Sequence, residues 1–228
     1  MGKDIPLTCI AFDADDTIWE NQIFYSEAER RFFDIMRALG HNGDIQAQLF
    51  DIETRNMSCL GYGAKAMTMS MFETAATLCP ALPAYAVNQI LDIGKFLLSV
   101  PTVMLDGATE TLHALKNKYR VVIITKGELN EQQRKFKNSP LDQTIEYFVL
   151  HDKTPETYAD LFAHEHIDPR TLLMAGNSPR SDILPILALG GLTAYLPYKH
   201  TWKHEDVHLM NHQRILRPAS IRALLDLL

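Results

Sequence analysis

Five short apolar runs constrain this chain more than any other feature: Leu7–Phe12, Arg120–Thr125, Ile145–Leu150, Thr171–Ala175 and Leu192–Leu196. Each has the length of one strand and few polar positions, the pattern of strands buried on both faces. Such strands need helices on each side, and the last four runs do alternate with helix-like segments. Gly107 to Lys118 sets Leu112 and Leu115 on one face. Pro155 to His164 opens on Thr154 as N-cap, with Pro155 at the first helical position. Ser178-Pro179 repeats that cap chemistry before Asp182-Ile183-Leu184, and Glu128 to Lys137 is polar throughout and reads as exposed. The expected class is α/β with a doubly wound parallel sheet.

The stretch from Trp19 to Thr102 obeys a different pattern. It holds no strand run, and its apolar spacing predicts four amphipathic helices near Phe24–Leu39, Asp44–Met57, Ala64–Leu78 and Ala84–Ser99. Gly40-His41-Asn42-Gly43, Gly61-Tyr62-Gly63 and Cys79-Pro80 punctuate them. The organisation expected is a core from residues 1–18 and 103–228, with an all-helical insertion over 19–102. With 228 residues and 46% hydrophobic content the chain can bury both parts.

Charge narrows the partners. A net charge of −6 argues against a basic surface for nucleic acid. An acidic chain can still handle phosphates through a local metal ion, a lysine or helix N-termini. Cys9, Cys59 and Cys79 are scattered and odd in number, which favours a reducing compartment over a disulfide framework. The run Leu7–Phe12 is too short for a signal-peptide core or a membrane span. A cytoplasmic protein with no membrane partner is therefore expected; the oligomeric state is left open.

In a doubly wound sheet, ligands sit outside the carboxyl ends of the strands. The first run ends in Asp13 and Asp15, the second in Thr125-Lys126-Gly127. Past the third lies His151-Asp152-Lys153, and past the fourth Gly176-Asn177-Ser178 and then Asp182. Carboxylates gathered this closely repel unless a cation joins them, and a hard divalent ion such as Mg²⁺ suits oxygen donors. One carboxylate can attack phosphorus, while another two residues along protonates the leaving oxygen. Thr125 and Lys153 are suited to the phosphoryl oxygens.

Phe12-Asp13-Ala14-Asp15-Asp16-Thr17 resembles the DxDxT signature of the haloacid dehalogenase (HAD) superfamily. Thr125 resembles its second motif, Lys153 its third, and Gly176-Asn177-Ser178-Pro179-Arg180-Ser181-Asp182 its acidic fourth. The helical insertion falls where this superfamily's type-1 cap belongs. The resemblance implies a Rossmann-like HAD core and a Mg²⁺-dependent phosphatase acting on a small phosphorylated substrate. Asp13 would be nucleophile and metal ligand, and Asp15 general acid/base and backbone ligand. Thr125 and Lys153 would hold the phosphoryl group; Asn177 and Asp182 would complete the metal shell, either of them directly. Members that cleave carbon–halogen bonds lack a carboxylate at the position of Asp15, so its presence favours phosphate esters.

Two residues depart from the pattern. Asp16 stands where glycine is usual, and its carboxylate is expected to face solvent or to cap a backbone N–H. Asn177 stands where aspartate is usual, which removes one negative charge from the metal shell. Asn177 also supports an alternative reading, a degenerate member that binds a phosphometabolite or a protein partner without turnover. A third reading is phosphoryl transfer between sugar positions, since mutases share these motifs.

Other features weigh less. His164, His166, Arg30, Arg31 and Arg55 read as surface residues, and Met67, Met69 and Met71 as helix core or cap lining. His200 and His204 flank Trp202 in a segment that either rims the site or forms a surface loop. Gly61-Tyr62-Gly63-Ala64-Lys65 either receives an anionic leaving group at a helix N-terminus or is a plain interhelical turn.

Overall fold

The computed structural model describes residues 6–200, 202–205 and 207–228, so positions 1–5, 201 and 206 of the expected core lie outside the described residues. The chain forms two compact units. One runs to Gln22 and takes up Thr102–Lys126 and Gln132–Leu228; the other comprises Ile23–Pro101 and Gly127–Glu131.

The first unit is built on a six-stranded sheet in the order β3-β2-β1-β4-β5-β6. Its strands are β1 (Cys9–Phe12), β2 (Arg120–Lys126), β3 (Glu146–Leu150), β4 (Leu172–Gly176), β5 (Leu192–Tyr195) and β6 (Ile215–Leu216). Every pairing is parallel. The alternation of side chains along β1 accounts for the apolar runs. Ile10 and Phe12 enter one core with Ala108, Leu112 and Leu115 of α5 (Ala108–Lys116). Cys9 and Ala11 enter the opposite core with Tyr158 and Phe162 of α7 (Pro155–His164) and Ile186 of α8 (Leu184–Ala188). Helices cover both faces, and the sheet is doubly wound. Only β6 lacks a counterpart among the sequence expectations, because two residues are too few to show a period.

In the second unit lie α1 (Gln22–Ala38), α2 (Ile45–Leu60), α3 (Ala64–Leu78) and α4 (Ala84–Ser99). Phe32, Met36, Leu49, Met71, Ile90 and Leu97 form its separate core. Asp44 caps α2 by accepting the Ala47 N–H at 2.9 Å. Met67 and Met71 are buried while Met69 is exposed, as a helix turning 100° per residue requires. Among the described residues no helix is long and apolar enough to cross a membrane. All three cysteines are free.

The start of α3 bears on the two readings left open for Gly61–Lys65. Its Ala64 N–H donates to the Glu131 carboxylate at 3.0 Å, and Lys65 pairs with Glu128 at 3.4 Å. Gly63 has φ +99°, and a Cβ there would stand 2.9 Å from Glu131 Oε2. The positive end of this helix is thus taken by the chain's own carboxylates, and the segment is not open to an anionic leaving group.

Candidate active site

Strand β1 lies between β2 and β4, where the strand order reverses, so the loops leaving all three emerge side by side at the switch point. Asp13 follows β1 directly, its N–H held by the Ala175 carbonyl of β4 at 2.9 Å. The side chain is buried. Lys153 Nζ lies 2.5 Å from Asp13 Oδ1 and 2.7 Å from Asp182 Oδ1. It stands just ahead of α7, where the capping box of Thr154 and Thr157 fixes the direction of the chain. Asp182 is fully buried, and its Oδ2 accepts the Ser178 N–H at 2.9 Å. A Cβ on Gly176 would overlap that Oδ2, so only glycine leaves room for this carboxylate.

Two buried carboxylates therefore share one ammonium, and the trio is one positive charge short. Burial and the Asp182 charge push the Asp13 carboxyl up to about 7 against the pull of Lys153. Burial works against the Lys153 ammonium, but Asp13 and Asp182 outweigh it and raise its pKa well above the ordinary value.

Asn177 is positioned by Thr17: the Asn177 N–H donates to Thr17 Oγ1 at 3.1 Å, and that hydroxyl donates to Asn177 Oδ1 at 3.2 Å. Asp16 adopts φ +62° and turns its carboxylate inward, accepting the N–H groups of Asn21 at 2.8 Å and Gln22 at 3.0 Å. Of the two roles expected for it, capping is the one adopted. Burial and the neighbouring Asp15 charge raise its carboxyl to about 7. Because the cap needs only the acceptor oxygen, Asp16→Asn should leave stability within about 0.5 kcal/mol, whereas Asp16→Ala should cost about 1–2 kcal/mol. Thermal unfolding of the two variants against the parent tests this, and equal losses would contradict it.

Asp15 does not join the Asp13–Lys153–Asp182 trio through hydrogen bonds. Trp19 Nε1 donates to its Oδ1 at 2.7 Å, and Gln132 Nε2 to its Oδ2 at 2.7 Å. Lys135 Nζ lies 3.0 and 3.2 Å from the two oxygens. Gln132 and Lys135 belong to α6 (Leu129–Lys137), the segment expected to be exposed; both are buried. That correction has a physical reason. Long polar side chains can be buried where each finds a charged or hydrogen-bonding partner. Thr125 is buried at the end of β2, its hydroxyl 3.5 Å from the Lys126 carbonyl, without a bond to the other candidates.

A buried carboxylate that sequence reasoning missed is Glu205. It accepts from Ser178 Oγ and Lys126 Nζ, and from Ser181 Oγ at 2.6 Å, bracing the loop that carries Asn177 and Asp182. Burial opposes its ionisation, but Lys126 and the two hydroxyls prevail and lower its pKa. His204 beside it is pushed down to about 4, by burial first and Arg180 second, and is neutral. His200 is exposed, edge-on to Tyr198.

Oxygen donors suited to a hard divalent ion remain available. Asp13 Oδ2 and the Asp15 carbonyl accept no hydrogen bond among the described residues. The amide oxygen of Asn177 accepts one. Among the described residues no group of three or more His, Cys, Asp and Glu side chains is arranged to hold a metal. A Mg²⁺ site needs no such cage, since one or two carboxylates, water and substrate oxygens suffice. The missing positive charge and the open oxygens fit such an ion.

A family model described as haloacid dehalogenase-like hydrolase matches residues 7–190. A haloacid dehalogenase-like family hydrolase from Xanthomonas campestris is similar in structure, with TM-score 0.87 and 32% identity over 97% of this chain and 91% of that one. A HAD-hydrolase from Bacillus subtilis bound to magnesium has TM-score 0.61 and 20% identity over 83% of this chain and 88% of its own. A 2-haloacid dehalogenase from Pseudomonas syringae has TM-score 0.63 and 13% identity over 96% and 97%. The last two likenesses concern the fold alone. Comparison with curated proteins finds no match. The matched segment begins within the β1 run and ends past the loop bearing Asn177 and Asp182, enclosing Asp13, Asp15, Thr125 and Lys153: this chain belongs to the haloacid dehalogenase-like hydrolases.

Proposed function

We propose that this protein is a Mg²⁺-dependent phosphatase that hydrolyses a small phosphorylated metabolite through an aspartyl-phosphate on Asp13. The observation that carries the reading is the buried Asp13–Lys153–Asp182 trio with a second carboxylate, Asp15, two residues beyond the nucleophile. Halide needs no proton on leaving, whereas an alkoxide does, so a carboxylate at Asp15 has work to do only with an ester. Asp13 through its open oxygen, Asp15 through its carbonyl and Asn177 through its amide would hold the ion. Asp182, with both oxygens already accepting, would act as a further ligand or as the anchor of Lys153. Bound Mg²⁺ supplies positive charge against the phosphoryl oxygens.

The chain's own residues perform the proton and phosphoryl transfers. An Asp13 oxygen attacks phosphorus, the ester P–O bond breaks, and its electron pair goes to the leaving oxygen, which takes the proton of Asp15. Asp15, now a carboxylate, takes a proton from water as that water attacks the aspartyl-phosphate, freeing phosphate and restoring Asp13. Lys153 and Thr125 bind the non-bridging oxygens and lower the cost of the charge gathered there.

The test is phosphate release from 4-nitrophenyl phosphate, with 2-chloropropionate assayed for halide in parallel. Phosphate release should need Mg²⁺ and fall by at least about 100-fold with a chelator. Halide release without phosphate release would overturn the proposal. Calorimetric binding of phosphorylated ligands with no turnover and no Mg²⁺ affinity would instead support the binding-only reading.

A further inference from the structure

The Asp15 carboxylate accepts from three side chains, Trp19, Gln132 and Lys135, and none of them belongs to the four motifs. Lys135 and Gln132 lie three residues apart on α6, which puts them on one helix face, and that face meets Asp15. Each is itself held. Lys135 Nζ also donates to Asn21 Oδ1 at 2.8 Å. The Tyr147 hydroxyl lies 3.2 Å from both the Gln132 carbonyl and Gln132 Oε1, and Gln132 Nε2 also donates to the Lys126 carbonyl at 3.2 Å, contacts that hold the amide with its NH₂ group toward Asp15. Burial, with the Asp15 charge second, pushes the Tyr147 phenol up, which keeps the hydroxyl a donor. Tyr147 stacks on Phe136 with ring centroids 4.5 Å apart, fixing the start of the relay. Trp19, fully buried, closes the other side.

We propose that Lys135 and Gln132 are positioning residues that aim the Asp15 carboxyl at the leaving-group oxygen. The proposal rests on Asp15 as the proton donor of the reaction described above. Two buried, entropy-rich side chains are costly to order at a place where an apolar pair would pack. Their geometry fits a demand for orientation: a proton donor works only within hydrogen-bond reach of the atom that receives the proton. Both residues act through Asp15.

The readout is the dependence on leaving group, which a merely structural role would not move. Glycerol 2-phosphate has a poor leaving alkoxide that needs the proton; 4-nitrophenyl phosphate has a stabilised phenolate that needs it far less. The quantity to compare is kcat/KM, which spans the step in which the leaving group departs. Lys135→Met should lower kcat/KM by about 10- to 100-fold on glycerol 2-phosphate and by only about threefold on the nitrophenyl ester, a part of the roughly 10²- to 10⁴-fold that general acid catalysis supplies. Gln132→Leu, which keeps the lysine in place, should show the same preference with a smaller factor, so the inference stays testable if Lys135→Met does not fold. Equal factors on both substrates, or no loss on either, would overturn it. Asp15→Asn is run alongside. If it discriminates between the two esters while Lys135→Met and Gln132→Leu do not, the positioning role alone fails. If Asp15→Asn fails to discriminate, the reading of Asp15 as acid falls and the positioning role with it.

Discussion

Asp13→Asn is expected to reduce phosphate release from 4-nitrophenyl phosphate by on the order of 10⁴-fold or more, the scale seen when a covalent nucleophile is removed. An amide has the shape of the carboxylate but neither its charge nor an oxygen basic enough to attack phosphorus. The same variant should fold as well as the parent or better, because it removes one of the two buried carboxylates that share Lys153. Loss of activity with an unchanged or raised Tm is the signature to look for, together with loss of any phosphorylated protein trapped by acid quench. A variant as active as the parent would end the assignment of Asp13.

Lys153→Met is expected to destabilise the parallel-sheet unit by about 3–5 kcal/mol, the cost of leaving buried charges without their partner. At roughly 2–4 °C per kcal/mol for a chain of this size, its Tm should fall by about 6–20 °C. The loss has a geometric cause: one ammonium, 1% exposed at its side chain, bridges two carboxylates that have no other cation within salt-bridge distance among the described residues. Adding Mg²⁺ should recover part of the loss, since a divalent ion at Asp13 replaces some of the missing charge. Combining Lys153→Met with Asp182→Asn should recover another part. A single variant with the parent's Tm would show that the trio carries little of the stability.

Much of the fold was legible because its cause is local. The five apolar runs appear as β1 to β5, and Ala64–Leu78 and Ala84–Ser99 coincide with α3 and α4. Side-chain periodicity marks those elements, and short-range chemistry, the Asp44 and Thr154 caps, marks the starts of α2 and α7. Gln132 and Lys135 were misjudged for the opposite reason. A helix with mostly polar residues reads as solvated unless something distant charges the surface it lies on, and Asp15 is more than a hundred positions away. Their i, i+3 spacing was present in the sequence, but spacing alone does not name a partner. Glu205 carried no signal at all, as nothing near it in the chain hints at Ser178, Ser181 or Lys126. The segment Gly127–Glu131 follows β2 in the chain yet groups with the helical unit, where Glu131 fills the anion position that one of the two readings of Gly61–Lys65 assigned to a ligand.

What the sequence determined by itself is therefore the kind of element at each place and the set of chemical groups at the strand ends, because periodicity, caps and motif spacing act over a few residues. Tertiary structure decided which of those groups share a charge. Lys153 bridges Asp13 and Asp182, Thr17 locks Asn177, and Lys135 and Gln132 claim Asp15. Coulomb and hydrogen-bond energies depend on distance in space, and distance in space between residues 13, 135, 153 and 182 exists only once the sheet has brought their loops to one edge.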